Sequence, residues 1–446
     1  MAIQREQEAI DYVLHSAREN DVKFVRLWFT DILGTLKGVA TTIEELEDAM
    51  TRGVGFDGSS ILGFARVDES DMVALPDPNT FRILPWRPRE NAVARMFCDI
   101  LTPQGEPFEG DPRYVLKRNL ARASQLGLTF YVGPELEYFY FENSESLIPL
   151  DQGDYFDQTL ADLSTDLRRE TVLNLADIGI PVKYSHHEAA PSQHEIVLQH
   201  TDGLTMADSV MTARLVIKEV AMRNGKYATF MPKPLDRKNG SGMHLSLSLF
   251  QGEQNAFYDF ADSLKLSELA NRFMAGLLRH APELTLITNQ WVNSYKRLVP
   301  GYEAPIYISW ASLNRSDLIR IPAYKAGRED AVRLEYRAPD AACNPYLAFS
   351  VLLAAGLAGV EQRYSLPEAV NQDVSAMSDS ERAARGITSL PGSLSEAINL
   401  ASESAIVRDA LGEHLLSMLI TNKRIEWEQY RTHVSNYEVS KYLPTL

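Results

Sequence analysis

Four carboxylates and His244 stand in three short segments of this sequence, and together they could bind divalent metal ions. The segments are residues 133–137, 184–195 and 239–244. Each is flanked by turn residues or by runs of β-branched and aromatic residues. Carboxylates brought together from separate segments repel one another unless a cation lies between them. The pattern therefore indicates a site for a hard divalent cation, which prefers oxygen ligands.

The pair His187 and Glu188 could also begin the zinc-protease motif H-E-x-x-H. That motif needs a second histidine on the same helical face, but Pro191 occupies its position. A proline there also breaks the helix that the motif requires. The zinc-protease reading is therefore excluded. Glutamates with a single histidine favour magnesium or manganese, since zinc prefers more His or Cys ligands.

Three predicted strands would carry these groups on one polar face. The alternation of apolar and polar residues predicts strands at residues 130–141, 243–250 and 332–337. The polar positions are Glu135, Glu137, His244, Ser246, Ser248, Arg333, Glu335 and Arg337. A single half-polar strand usually just faces solvent. Three strands that carry acids, a histidine and arginines instead indicate a polar cavity.

Arginines beside divalent cations indicate the chemistry of phosphoryl transfer. The metals neutralise the phosphate oxygens, and the arginines hold the charge of the transferring group. Further arginines that could converge on the cavity are Arg297, Arg315 and Arg320. The sequence contains neither a G-x-x-x-x-G-K-[ST] nor a G-x-G-x-x-G motif, so it is not a P-loop protein or a dinucleotide fold.

A loop at residues 295–305 could close over such a site. Two prolines and a glycine hold Glu303 within it. Loops of this kind exclude water when they close. The alternative is a rigid structural turn.

Composition limits the remaining classes. The 446 residues, 45% hydrophobic and 23% charged, predict two or three domains. The formal net charge of −16 excludes a typical nucleic-acid binder. The N-terminus lacks an apolar signal region and no window is long enough to span a membrane, so we expect a cytoplasmic protein without a membrane partner. Cys98 and Cys343 lie among apolar residues and are expected to be reduced.

The chain is predicted to be α+β with two domains. A helix at 3–19, a short helix at 43–51 and strands at 22–30, 35–40, 71–75, 81–85 and 92–100 form a small first unit. Turn residues at 102–112 mark the boundary, which gives domains of residues 1–104 and 105–446. Long helices are predicted in the second domain at 114–127, 160–179, 207–224, 266–280 and 345–364.

Nine segments, taken in order, resemble the glutamine synthetase family, type I, in its shorter (alpha) subclass. They are residues 56–61, 133–137, 185–195, 239–244, 296–305, 314–316, 319–322, 344–348 and 410–414. The resemblance covers essentially the whole chain. The longer subclass is adenylylated on a tyrosine in a loop that corresponds to residues 371–382, where this sequence has no Tyr.

The resemblance implies an N-terminal β-grasp domain and an ATP-grasp-like (guanido-kinase-like) catalytic domain with a curved antiparallel sheet and surrounding helices. It implies a homo-oligomer, a dodecamer of two hexameric rings with active sites shared between neighbouring subunits. L-glutamate, ammonium and ATP would give L-glutamine, ADP and phosphate through γ-glutamyl phosphate. At least two Mg²⁺ or Mn²⁺ ions per site would serve this reaction.

Residue roles follow from the same resemblance. Glu137, Glu188 and Glu195 would hold one metal, and Glu135, His244 and Glu335 the second. Glutamate would contact Asn239, Gly240, Arg297 and Arg337. The phosphates and nucleotide would meet Arg315, Arg320, Arg333, Ser246, Ser248 and Lys183. Asp57 of the adjacent subunit would deprotonate ammonium, and Glu303 would close the site and accept a second proton. Tyr155 and Ser60 would shape the ammonium pocket, and Arg66 would couple bound glutamine to inhibition.

This sequence departs from the family pattern at several positions. Leu62 replaces a common Glu, Lys183 stands where an acid is frequent, and Ser192 replaces a Gly. Two other functions remain open at this point. A γ-glutamyl–amine ligase would share the activation step, although it tends to lose the ammonium-pocket residues. A noncatalytic scaffold would be expected to lose metal ligands, and all six are present.

Overall fold

The computed structural model describes residues 2–63, 71–158, 164–312 and 317–446. Arg66 and Arg315, which the sequence analysis singled out, lie outside these ranges. Within them the chain is α+β, as predicted. None of the helices in these ranges combines the length and apolar character that a membrane span needs.

The first unit is a mixed sheet covered by helices. Its elements are α1 (Ala2–Glu19), β1 (Val22–Thr30), β2 (Leu36–Thr42), α2 (Leu46–Arg52), β3 (Val54–Asp57), β4 (Asp71–Pro76), β5 (Arg82–Ile83) and β6 (Ala92–Leu101). The strand order is β2-β1-β6-β4-β3, with β5 beside β6. Strands β1 and β6 are parallel, and the other pairs are antiparallel. The buried core of this unit includes Val25, Leu27, Ala94 and Met96.

Two predictions for this unit need correction. Strand β3 is not among the predicted strands, because its four residues include Gly55 and are too few to show alternation. The strand predicted at 81–85 is reduced to β5, since a 3₁₀ turn at Pro78–Thr80 precedes it. The other strands and α2 lie within a few residues of the predicted positions.

The second unit surrounds a large sheet with helices. Its elements are α3 (Pro112–Gln125), β7 (Thr129–Phe141), α4 (Thr165–Asp177), β8 (Val182–His187), β9 (Gln193–Leu198), β10 (Thr201–Asp202), α5 (Gly203–Arg223), β11 (Tyr227–Thr229), β12 (Met243–Gln251), β13 (Gln254–Asn255), α6 (Glu268–Thr288), α7 (Ser294–Arg297), β14 (Trp310–Ala311), β15 (Ile319–Arg320), β16 (Leu334–Tyr336), α8 (Pro345–Glu361), α9 (Asp379–Ala384), α10 (Leu394–Glu403), α11 (Ala405–Leu411), α12 (Glu413–Thr432) and α13 (Asn436–Tyr442). The main strand order is β14-β15-β16-β12-β7-β9-β8. All pairs on this path are antiparallel except β14 with β15.

One face of this sheet packs on the helices, and this leaves the other face for polar groups. Leu136, Leu245 and Leu334 are fully buried on β7, β12 and β16. Helix α6 was predicted to end near residue 280, but it continues past Pro282 to Thr288. Leu284, Leu286 and Ile287 in this extension are buried in the core, and their burial offsets the cost of the internal proline.

The two units are joined by a buried ion network. Arg113, at the start of α3, donates hydrogen bonds to Asp99 (2.6 Å) and Asp77 (2.8 Å) of the first unit and to Asp208 of α5 (3.1 and 3.2 Å). Because the guanidinium is 3% exposed, losing one of these partners would leave a buried charge partly uncompensated. The predicted boundary at 104/105 falls in the connection between β6 and α3.

Candidate active site

A cavity of about 960 Å³ opens on the polar face of the large sheet. Fourteen of the predicted site residues line it: Glu135, Glu137, Tyr155, Glu188, Glu195, Asn239, Gly240, His244, Arg297, Glu303, Arg320, Arg333, Glu335 and Arg337. They come from strands and loops spread over the second unit, so the sheet topology brings distant parts of the sequence to one place.

Strand register builds the first cluster of metal-ligating groups. His244 on β12 lies opposite Glu135 on β7, and Ser246 on β12 lies opposite Glu335 on β16. His244 Nδ1 is 3.5 Å from Glu135 Oε2. The candidate ligand atoms of Glu135, His244 and Glu335 all lie within 4.8 Å of one another. This is the grouping that the sequence analysis expected for one metal.

A second cluster forms at the turn between β8 and β9. Ligand atoms of His186, Glu188 and Glu195 lie within 4.8 Å of one another. His186 Nε2 is 3.2 Å from Glu195 Oε1, and its Nδ1 is 3.5 Å from Glu188 Oε1. His186 is not among the residues predicted from the sequence. Its position two residues before Glu188, on an alternating strand, was the available signal.

Glu137 lies between the two clusters. Its Oε2 accepts hydrogen bonds from the backbone N–H of Gly242 (2.8 Å) and from Nε2 of Gln193 (3.2 Å). Its Oε1 is 3.9 Å from His244 Nε2. Gln193 also donates to the carbonyl of Gly240 (3.0 Å) and is a site residue that the sequence analysis missed.

The electrostatics of the clusters suit a divalent cation. Burial, together with the neighbouring Glu137 and Glu195 carboxylates, raises the pKa of Glu188 to about 9. Burial and the nearby Glu135 raise the pKa of Glu195 well above its ordinary value. Burial and Arg337 lower the pKa of His244 to about 3, so its imidazole is neutral and able to ligate. Crowded carboxylates beside a neutral imidazole are a donor set for a divalent cation.

Arginines surround the first cluster. Arg337 donates to Glu335 Oε1 (2.6 Å), and Arg320 donates to Glu335 Oε2 (3.1 Å). Arg333 donates from Nε to Ser246 Oγ (3.0 Å). Arg297 is buried and donates to the backbone carbonyls of residues 338 (2.7 Å) and 337 (3.2 Å). It therefore supports the strand end as well as facing the cavity.

A glycine allows the segment before β12 to approach its neighbours. A Cβ on Gly240 would lie 2.2 Å from the carbonyl oxygen of Pro232 and 3.1 Å from the Arg297 side chain. Any side chain there would force the backbone apart. The loop that carries Glu303 meets the same segment, because Asn239 Nδ2 donates to Glu303 Oε2 (3.0 Å). The predicted closing loop thus lies over the cavity.

The other predicted residues that the structure describes lie outside the lining of this cavity. Lys183 is on β8, and burial and Arg333 lower its pKa. Ser246 and Ser248 lie on β12 beside the site. Asp57 and Ser60 belong to the first unit, where Asp57 Oδ1 accepts from the backbone N–H of Ser59 (2.8 Å). The chain therefore does not bring Asp57 into its own cavity.

Comparisons with known proteins identify the family. The family model "Glutamine synthetase, beta-Grasp domain" matches residues 21–103, and "Glutamine synthetase, catalytic domain" matches residues 109–442. The chain is 51% identical to glutamine synthetase of Mycolicibacterium smegmatis over 97% of this chain and 98% of that protein. It is 50% identical to glutamine synthetase of Methanosarcina mazei, with 97% of each covered.

Solved structures show the same fold. The ADP complex of GmaS superposes with a TM-score of 0.88 at 31% identity, over 97% of this chain and 99% of that one. Plasmodium falciparum glutamine synthetase superposes with a TM-score of 0.87 at 25% identity, over 98% of each chain.

The fold and the site thus define a metal-dependent ATP ligase with a β-grasp domain and a curved catalytic sheet. The chain belongs to the glutamine synthetase family, and its short type I form fits the predicted subclass. Its activity is ATP-dependent glutamine synthesis, that of a glutamate–ammonia ligase. Neither an amine ligase nor a noncatalytic scaffold is favoured, because full-length relatives near 50% identity are glutamine synthetases.

Proposed function

We propose that the cavity performs this ligation in two steps, with the residue roles given by the family resemblance. The γ-phosphoryl group of ATP passes to a γ-carboxylate oxygen of L-glutamate, and ADP leaves. Ammonia then attacks the activated carbon, and phosphate leaves with the electron pair of the broken C–O bond. The observation that carries the proposal is the pair of ligand clusters beside convergent arginines in one cavity.

The two clusters fit two divalent cations, Mg²⁺ or Mn²⁺. Glu135, His244 and Glu335 would hold one, and Glu137, Glu188 and Glu195 the other, with His186 as a further candidate. Such ions supply charge neutralisation for the phosphoryl group when bound. Arg320 and Arg333 would contact the phosphates, with Arg315 from the part outside the described residues. Ser246, Ser248 and Lys183 would adjoin the nucleotide.

The substrate groups are assigned to other residues of the same cavity. Asn239, Gly240, Arg297 and Arg337 would bind glutamate. Glu303 would close the site and accept a proton, and Tyr155 would line the ammonium pocket.

We assign the deprotonation of ammonium to Asp57 of a neighbouring subunit, with Ser60 beside it. In support, both residues stand apart from the cavity lined by their own chain. A shared site requires a homo-oligomer, for which we propose a dodecamer of two hexameric rings. Exposed apolar side chains on and after α12, among them Val434, Tyr437, Val439 and Leu443, fit such an assembly. Arg66 would couple bound glutamine to inhibition of the enzyme.

The proposed location is the cytoplasm. Cys98 and Cys343 are buried and form no disulfide, and thiols stay reduced in that compartment.

Phosphate release from ATP and glutamate tests the assignment. We expect ammonium to stimulate release strongly, and putrescine, ethylamine or no amine to stimulate it little. The Glu335→Gln variant should lose this activity, whereas Glu253→Gln, at an exposed position, should keep it. Stimulation by putrescine or ethylamine equal to that by ammonium would contradict the assignment.

A further inference from the structure

Ser192 is an unusual residue for its backbone conformation. It lies at the end of the turn that carries Glu188, and its φ is +59°, in the left-handed region. A serine has a Cβ and is therefore more strained in this region than a glycine. The side chain is nevertheless fully buried. A strained and buried serine needs a compensating interaction, and its hydroxyl provides one.

The Ser192 hydroxyl binds a second segment of chain. Its Oγ accepts hydrogen bonds from the backbone N–H groups of Leu150 (2.5 Å) and Asp151 (3.2 Å). In return, the backbone N–H of Ser192 donates to Asp151 Oδ1 (2.9 Å). Three hydrogen bonds therefore join the turn between β8 and β9 (residues 188–192, here called the acidic turn) to the segment that begins at residue 150.

Asp151 makes further contacts both with its own segment and with the end of β8. The same Oδ1 accepts from the backbone N–H of Gly153 (3.1 Å) and lies 2.8 Å from Nε2 of His187. His187 Nδ1 lies 2.6 Å from the carbonyl oxygen of Glu188. A Cβ on Gly153 would lie 2.7 Å from His187 Nε2, so the backbone at residue 153 is in close contact with the His187 side chain.

The segment held in this way carries cavity-lining residues. Phe156 donates its backbone N–H to the carbonyl of His187 (3.1 Å). The rings of Tyr155 and Phe156 pack edge-on against His186, with centroids 5.4 and 4.6 Å away. Movement of residues 150–156 would therefore move the aromatic wall of the cavity.

We propose that Ser192 is a positioning residue that fixes residues 150–156 against the acidic turn and so sets the fit of the amine substrate. The proposal rests on the proposed function, in which Tyr155 lines the ammonium pocket. Ser192 touches neither substrate nor metal in this scheme and acts through Asp151 and Tyr155. A loosened wall would bind ammonium less well and would admit a methyl group more easily.

The test compares Ser192→Gly and Ser192→Ala with Ser350→Ala. Both Ser192 variants lose the hydroxyl, but Gly removes the strain at positive φ and is expected to fold normally. Ser350 is a buried control whose hydroxyl donates to the carbonyl of Tyr346 in its own helix. Amide hydrogen exchange of residues 150–156 and the kinetics of ammonium and methylammonium are measured for each protein.

In Ser192→Gly we expect faster exchange of residues 150–153 and a KM for ammonium raised roughly three- to tenfold, the size of a lost hydrogen bond. The turnover ratio of methylammonium to ammonium should rise, while KM for ATP stays unchanged. Unaltered exchange, or equal changes in every KM, would overturn the proposal. If the unsubstituted enzyme showed no ammonium-dependent turnover, the proposed function would fall, and exchange alone would decide whether Ser192 fixes the segment.

Discussion

Asn239 Nδ2 donates a hydrogen bond to Glu303 Oε2 across 3.0 Å, and this bond joins the segment before β12 to the loop above the cavity. Glu303 has a φ of +57°, and Gly301, two residues earlier, has a φ of +88°. A glutamate in the left-handed region carries strain that a functional position can sustain. The carboxylate is thereby presented to the cavity by both the loop conformation and Asn239.

Glu303→Gln and Glu303→Ala separate proton transfer from loop closure. A glutamine retains an oxygen that accepts from Asn239 but cannot accept a proton as a carboxylate does, whereas alanine loses both functions. We expect both to lower kcat/KM for ammonium by about 10²- to 10⁴-fold. Only Ala should also weaken glutamate binding, measured by calorimetry with a nonhydrolysable ATP analogue. A Gln variant with full turnover would show that Glu303 accepts no proton.

Mixed oligomers test whether Asp57 serves a neighbouring subunit. Asp57→Ala and Glu335→Gln should each inactivate the enzyme, the first through the base and the second through the metal site. If sites are shared, hybrids of the two inactive chains regain turnover, because some sites combine an intact base with an intact cavity. Hybrids of Asp57→Ala with the double variant should stay inactive. Turnover with hydroxylamine, which is neutral near pH 7, should suffer less from Asp57→Ala.

Metal titration tests the division of ligands between the two clusters. We expect Glu135→Gln and Glu137→Gln to weaken Mn²⁺ binding at different sites, each by about 10- to 100-fold. His186→Asn tests whether His186 is a further metal ligand, since it groups with Glu188 and Glu195 in the structure. Electron paramagnetic resonance counts the bound ions. Unchanged stoichiometry and affinity in Glu137→Gln would refute its assignment as a ligand.

Much of the site was predictable because strand periodicity is a local property of the sequence. Alternation alone placed Glu135 and Glu137 on one face of β7 and His244 on one face of β12, and the register pairs His244 with Glu135. Residue roles, by contrast, came from the family resemblance. His186 was missed because the residue roles taken from the resemblance do not include it, although its position two residues before Glu188 was an available signal.

The contacts that support the site could not be predicted. The bonds of Ser192 to residues 150 and 151 cross some 40 residues of chain, and their existence depends on how the turn and the segment meet in space. The continuation of α6 beyond Pro282 has the same origin, because burial of its last turns outweighs a local helix-breaking signal. Tertiary packing therefore determines these two features, which the local sequence pattern does not specify.

The raised pKa of Glu188 predicts how pH affects the metal-free protein. Burial, with Glu137 and Glu195, raises that pKa from its ordinary 4.5 to about 9, so between these values the folded state keeps a proton that the unfolded chain releases. The free energy of unfolding should therefore fall as pH rises, by up to about 1.4 kcal/mol per pH unit from this group. Thermal unfolding in EDTA between about pH 6 and pH 8.5 measures the slope.

A divalent cation should reverse this trend. Binding requires the ionised carboxylate, so Mn²⁺ affinity and its stabilising effect should increase with pH over the same range. Glu188→Gln, which cannot ionise, should flatten the slope in EDTA and lose much of the stabilisation by Mn²⁺. Glu253→Gln, with its exposed side chain, is the matched control and should behave as the unsubstituted protein. An equal slope in Glu188→Gln would show that other groups cause the pH dependence.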